Sequence, residues 1–260
     1  MKKQLIIHIP HSSSHIPFND GYVCDGESLE NEIMLLTDWF TDDLFHSDKD
    51  IMVVSDFSRV FCDVERFADD AEEPMAAFGM GAVYTHLDNG KPMRIVSSRL
   101  RKHIMKEYYQ RHHEKLTNAV ASQLEEVGSA LILDAHSFPD KPFRRDIDQS
   151  DNRPDICIGT DEFHTPKELI DCSIDYFIGL GYSVGINSPY SGSLVPMRFF
   201  RKDKRVSSKM LEINRRLYLK GKGNQRAEGY GEMKGLIGGY VDLLRRWISE
   251  KKNSLRLTYA

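Results

Sequence analysis

The segment LILDAHSF (Leu131–Phe138) decides how this chain is read. With Ala130 before it, the apolar run through Leu133 suits a strand covered on both faces, as in a parallel sheet. Asp134, His136 and Ser137 then stand where that strand ends. A long helical pattern, Val96–Val127, comes just before it. In open α/β sheets the ligand crevice lies outside the carboxyl ends of the strands. These three polar residues are therefore candidates for chemistry rather than packing.

The same alternation extends in both directions. Further short apolar runs are Leu5–Ile9, Ile51–Ser55, Asp155–Gly159, Tyr182–Ile186 and Lys209–Ile213. Further helical patterns are Ser28–His46, Pro166–Leu180 and Glu232–Glu250. The first has Leu29, Ile33, Leu36 and Phe40 at helical spacing. Pro166 would open its helix with Thr165 as the cap. Strands interleaved with helices predict an α/β fold, a three-layer arrangement with a mixed, mostly parallel sheet flanked by helices. No repeat or low-complexity linker interrupts residues 1–260, so one domain is expected. The Gly-, Met- and acid-rich stretch Phe67–Pro92 reads as a surface excursion, chiefly at Asp69–Glu73. The polar loops Phe138–Arg153 and Gly185–Lys204 each follow a strand, which makes them candidate walls of a site.

Bulk properties exclude several classes. Hydrophobic residues are 40% of the chain and charged residues 28%, ordinary values for a chain with a real core. A net charge of −4 gives no general attraction to nucleic acid or an anionic membrane. The basic run Arg198, Arg201, Lys202, Lys204 and Arg205 reads as a solvated loop or as contacts to a substrate anion. The start, MKKQLIIHIPHSSSHIP, is too briefly apolar for a signal peptide and reads as a first strand ended by Pro10. No stretch approaches a membrane span. Cys24, Cys62, Cys157 and Cys172 lack metal or redox spacing and fit reduced thiols of a cytoplasmic protein.

Polar residues gather at four strand ends. His11 follows the first strand; Arg59, Asp63 and Arg66 follow the second; Asp134, His136 and Ser137 end the third; Glu212 sits in the last. Two imidazoles and a carboxylate make an open zinc site, and a further glutamate would be its general base. There is no HExxH. His8 and His11 lie across a strand-to-loop turn, so His8 is expected to be structural. Met210, Leu211 and Ile213 flank Glu212, and a carboxylate in such apolar company needs a partner or a task.

Taken in order, IPHSSSHIP, TDW (Thr37–Trp39), SRVFCDVER, LDAHSF, NSPYSG (Asn187–Gly192) and LEINRRLY resemble the motif series of N-formylglutamate amidohydrolases, from residue 5 to about 219. The resemblance implies a zinc carboxypeptidase-like sheet, eight-stranded in type. It implies one divalent metal, Zn2+, held by His11 and His136 with Asp38 of TDW as the third ligand. It implies Arg59 at the scissile carbonyl, Arg66 on a substrate carboxylate, Glu212 as the base, and Asn187, Tyr190 and Gly192 in the substrate loop. His113, on the helix before the metal strand, matches a family histidine and is either a support for the site or a packing residue. The expected substrate is a small N-acyl amino acid. Glu65 departs from the family asparagine, which predicts competition with an acidic substrate for Arg66. The alternatives are a relative acting on a peptide or cell-wall fragment, or a non-catalytic binding protein on the same fold.

Overall fold

The computed structural model describes residues 5–221 and 223–258, with side chains to Glu250. Six strands, β1 (Leu5–Ile9), β2 (Ile51–Val54), β3 (Ala130–Phe138), β4 (Ile156–Gly159), β5 (Val184–Ile186) and β6 (Val206–Asn214), form one sheet in the order β2-β1-β3-β6-β4-β5. All neighbours are parallel except β4 and β6, which pair antiparallel. The sheet is thus mixed and mostly parallel, with six strands among the described residues rather than the implied eight. Its longest strands, β3 and β6, are buried along their whole length. Burial on both faces explains the near-continuous apolar run that opens β3.

Strand parity sorts the side chains. Odd-numbered residues of β1, β3 and β6, such as Ile7, Leu133 and Leu211, pack with Leu169 and Phe177 of α5 (Lys167–Gly179) and Ile237 and Leu244 of α6 (Tyr230–Thr258). Even-numbered Ile6, Ile132 and Val206 pack with Leu116 and Val120 of α4 (Arg111–Val127). Fully burying each such side chain contributes about 1.5–3 kcal/mol. His8, Asp134, His136 and Glu212 are all even-numbered, so the pleat alone directs all four to the α4 side.

Three helical expectations change in detail. The pattern Ser28–His46 is not one helix. α1 (Gly26–Leu36), capped by Asp25, stops before Asp38, and α2 (Thr41–Leu44) follows left-handed Phe40. The break is held by tertiary bonds: Asp38 N–H donates to the His11 carbonyl over 2.9 Å. The pattern Val96–Val127 is one rod, α3 (Ser98–Ile104), a π turn at Met105–Gln110 and α4. Thr165 does not cap α5. Pro166 occupies the cap position, and the Thr165 hydroxyl donates to the Ser208 carbonyl instead. No helix among the described residues is long and apolar enough to cross a membrane.

Candidate active site

A cavity of about 470 Å³ opens where β1, β3 and β6 end. His11, Glu65, His136 and Glu212 line it. His136 and Glu212 are direct neighbours across the β3–β6 ladder. His11 follows β1, two residues beyond Ile9. Glu65 arrives on the loop after β2.

His11 is buried, and its Nε2–H donates to Asp63 Oδ1 over 2.9 Å. That bond fixes the tautomer and leaves Nδ1 as a buried lone pair without a hydrogen-bond partner, 3.8 Å from Asp38 Oδ2. Burial, then the positive charge of Arg59, holds this imidazole below its usual pKa of 6.5, so it is neutral at pH 7. His136 presents Nε2 to Glu65 Oε2 at 2.9 Å and Nδ1 to Asp38 Oδ2 at 3.3 Å. Burial opposes its charge, but Glu65 and then Asp134 outweigh burial and raise its pKa well above 6.5. Glu65 Oε1 is buried without a hydrogen-bond partner, 3.6 Å from His8 Nδ1.

One donor atom each from His11, Glu65 and His136 lie within 4.8 Å of one another. Two neutral-capable imidazoles and a carboxylate around an orphaned nitrogen fit a zinc-type cation. The proton that the two carboxylates hold on His136 is the charge such a cation would replace, so uptake would release a proton.

This geometry adds a second carboxylate to the one expected as third ligand. Asp38 Oδ2 lies 3.8 Å from His11 Nδ1 and 3.3 Å from His136 Nδ1, while Glu65 is the carboxylate in the convergent group of three. Asp38 Oδ1 accepts from Arg215 Nη2 over 2.7 Å, while Oδ2 faces His136 Nδ1 and accepts the Ser137 backbone N–H over 3.2 Å. Asp38 therefore holds the His136 ring through Nδ1. Glu65 instead joins the two histidines in the convergent group. It does not face Arg66, so the expected competition for a substrate carboxylate has no geometric basis. The cause is local: Glu65 N–H donates to Asp63 Oδ1 over 3.0 Å, a tight turn that sends Glu65 inward toward His136.

Asp63 is the hub of this wall. Besides His11 and Glu65 N–H it accepts from Arg59 Nη2 over 2.8 Å and from the Tyr84 hydroxyl over 2.6 Å. Arg59 lines the cavity with Nε and Nη2 anchored in this way. Arg66 also lines it. Glu212 is 7% exposed with Oε2 buried and unpartnered; burial first, with Asp38 adding like charge, raises its pKa to about 8. Tyr190 lines the cavity, and its hydroxyl donates to Asp146 over 2.9 Å. Asn187 does not line it. Its side-chain oxygen accepts from Thr160 N–H over 2.8 Å and from Gly192 N–H over 3.4 Å, so it braces the loop rather than touching substrate.

His8 is buried, its Nδ1–H donating to Asp134 over 2.7 Å and its Nε2 accepting from His112 over 2.8 Å. One donor atom each from His8, Glu65 and Asp134 also converge within 4.8 Å. Both His8 nitrogens already have partners, unlike Nδ1 of His11. His113 donates Nε2–H to the Val64 carbonyl over 2.8 Å, and Tyr109 donates to the Arg66 carbonyl over 2.7 Å. The two rings lie 4.3 Å apart, tilted by 36°, and hold the backbone on either side of Glu65.

Comparison with known proteins follows this geometry. Residues 3–219 match the family model of N-formylglutamate amidohydrolase. The chain belongs to that family. A similar protein is the N-formylglutamate deformylase of Pseudomonas putida, 24% identical over 229 residues, covering 83% of this chain and 81% of that one. The crystal structure of N-formylglutamate amidohydrolase from Ralstonia eutropha superposes with a TM-score of 0.81 at 23% identity, covering 96% of both chains. A gene product of Agrobacterium tumefaciens does so at 0.62 and 17% identity, covering 98% of this chain and 92% of that one. At these identities the two solved structures establish the shared fold.

Within this family member, sequence reasoning missed Asp63 as hub, Tyr84, His112, Arg153, Arg215 and the inward turn of Glu65. Arg215 stood inside the quoted LEINRRLY motif, one turn past Glu212. Its partner Asp38 lies 177 residues away, a pairing that no local pattern reveals.

Proposed function

We propose that this chain is a zinc-dependent amidohydrolase that cleaves the amide of an N-acyl amino acid of the N-formylglutamate type. The observation that carries the reading is the convergence of His11, Glu65 and His136, with His11 Nδ1 buried and free of hydrogen bonds, beside the carboxyl of Glu212, whose buried Oε2 has no hydrogen-bond partner. His11, Glu65 and His136 would hold the cation, which when bound supplies Lewis-acid polarisation of the acyl oxygen and of water.

The chain's own residues account for the rest. Glu212 lines the cavity and its buried Oε2 has no hydrogen-bond partner, so its carboxyl can take a proton from water and return it to the leaving nitrogen. Arg59 is clamped through Nε and Nη2, which leaves its remaining N–H donors for an oxygen that gains negative charge. Arg66 offers a planar fork to the substrate carboxylate. Asp63 and Asp38 keep the His11 and His136 rings oriented. Membership of the family and the likeness to the Pseudomonas putida deformylase support the reaction class.

The test is metal analysis of the purified protein together with a screen of N-acyl amino acids for released amine. One divalent metal per chain and amine release are expected, and His136→Ala should lose both while staying folded. A protein that takes up no divalent metal and releases no amine would end this reading.

A further inference from the structure

Four arginines line the cavity: Arg59, Arg66, Arg153 and Arg215. Two of them use Nε within the protein. Arg59 Nε donates to Asp63 and to the Tyr84 hydroxyl, each over 3.2 Å, and Arg215 Nε donates to the Ser137 hydroxyl over 3.2 Å. Arg66 Nε and Arg153 Nε are both buried without a hydrogen-bond partner. Arg66 stands on the loop after β2, and its ion pair with Asp63 is long, at 3.7 Å. Arg153 stands just before β4, with its side chain 1% exposed.

Arg153 is clamped at its far end. Nη1 donates to the Tyr190 hydroxyl over 3.1 Å and to the Pro139 carbonyl over 3.4 Å, and Nη2 donates to Asp146 over 2.7 Å and to the Asp148 carbonyl over 3.0 Å. That uses every terminal N–H, and Nε–H is the donor left over. The guanidinium carbon also lies 5.5 Å from the centre of the Tyr190 ring. A side chain fixed in this way loses little freedom when a ligand binds. The two acids beside it are already engaged. Asp146 pairs with Arg153 and accepts from the Tyr190 hydroxyl over 2.9 Å, while the Asp148 carboxylate accepts the Ser150 backbone N–H over 2.8 Å and the Ser188 hydroxyl over 3.4 Å. A buried donor left without a partner costs about 1–3 kcal/mol, and an anion that accepts from it recovers this through a charge-assisted bond.

We infer that Arg153 is a specificity residue whose Nε–H receives the side-chain carboxylate of an N-formylglutamate-type substrate while Arg66 holds the α-carboxylate. The inference rests on the amidohydrolase reading above and assigns the second carboxylate of its substrate. Arg66 adjoins Glu65 of the convergent group, so it takes the carboxylate nearer the scissile amide. Arg153 is set among Pro139, Asp146, Asp148 and Tyr190, none of which belongs to that group, and takes the distal one.

The experiment compares N-formyl-L-glutamate with N-formyl-L-glutamine on the metal-loaded protein. The glutamine compound keeps the shape and the α-carboxylate and lacks the side-chain charge. The wild type should favour the glutamate compound in kcat/KM by at least about tenfold, a difference of about 1.4 kcal/mol. Arg153→Lys keeps a cation for Asp146 but has no Nε–H. It should bring the ratio to within about threefold of unity by raising KM for the glutamate compound, with the glutamine compound little changed. Arg153→Met combined with Asp146→Asn removes both charges together and should do the same. A wild-type ratio near one, a loss shared equally by both compounds, or an unchanged ratio in the folded variants overturns the inference. Failure of both variants to fold also overturns it, by making Arg153 a structural residue. Calorimetric binding to Glu212→Gln separates this result from the reading beneath it. An Arg153-dependent preference for binding the glutamate compound, with neither compound hydrolysed by the wild type, would sustain the assignment and sink the amidohydrolase reading instead.

Discussion

Lys209 and Glu212 lie three residues apart on β6 and face opposite sides of the sheet. Lys209 is 1% exposed beneath α5 and α6. Its ammonium donates to Ser173 and Tyr240, and no carboxylate pairs with it among the described residues. Burial pulls its pKa from 10.5 down to about 7. Glu212 on the other face is also buried, and burial raises its pKa from 4.5 to about 8. Both groups are displaced toward neutrality by the same cause, and only one opens on a cavity beside convergent histidines. A displaced acid–base equilibrium therefore reports burial. Function additionally requires access and partners.

The largest expected effects belong to the groups that reach the cavity. Glu65→Ala should abolish metal retention, measured by metal content after dialysis, and turnover with it. Asp38→Asn should weaken retention by only about 10–100-fold, the scale for a residue behind a ligand. If Asp38→Asn is the more damaging change, Asp38 rather than Glu65 is the ligand.

Next in size is Glu212→Gln, which should keep the metal and lower turnover by at least about a hundredfold. It also has a stability signature. A carboxyl with a raised folded pKa gives stability that is present below about 4.5 and is lost as pH rises through about 8. Metal-free Glu212→Gln should therefore be more stable than the wild type at pH 8 and above by on the order of a few kcal/mol, with no such gain at pH 4. A pH-independent difference in thermal unfolding would show that Glu212 is not the buried titrating group.

Much of this contrast was legible in the sequence. Apolar runs identified all six strands, and parity within β3 and β6 implies that His136 and Glu212 share a face. What was not legible are the bonds that cross the chain. Nothing local to TDW shows that Asp38 spends one oxygen on Arg215 and turns the other to His136. Nothing local to DVER shows that Asp63 accepts from the Glu65 backbone and tips that side chain inward. Hydrophobic periodicity specifies faces. The roles of adjacent polar residues in a turn are set by partners tens to hundreds of residues away.

Lys209→Met tests the silent half of the comparison. Turnover should not change. A lysine with a lowered folded pKa costs stability as pH falls from about 10.5 through about 7, because the unfolded chain takes the proton first. The variant should gain on the order of a few kcal/mol at or below pH 7, and the gain should fade by pH 10. Ser173 and Tyr240 remain bonded to each other at 3.0 Å, so the substitution strands neither hydroxyl. A loss of activity would place Lys209 in the chemistry after all.

His113 and Tyr109 are the intermediate case and carry the smallest expected effects. Neither lines the cavity. His113 is held neutral, its pKa lowered to about 4 by burial and then by His8, so at neutral pH it acts as a hydrogen-bond donor and not as a charge. It grips the Val64 carbonyl, and Tyr109 grips that of Arg66, from a helix whose π turn ends at Gln110. Each bond contributes about 1 kcal/mol, close to a fivefold effect. The two should separate by readout, because Glu65 and Arg66 do different work. His113→Leu should weaken metal retention several-fold, and His113→Gln, which keeps a donor, should restore part of it. Tyr109→Phe should leave the metal in place and raise KM several-fold for a carboxylate-bearing substrate, with kcat little changed. Identical small losses of stability, with metal retention and KM both unmoved, would return the two residues to plain helix packing. The boundary between working and silent burial would then coincide with the cavity wall.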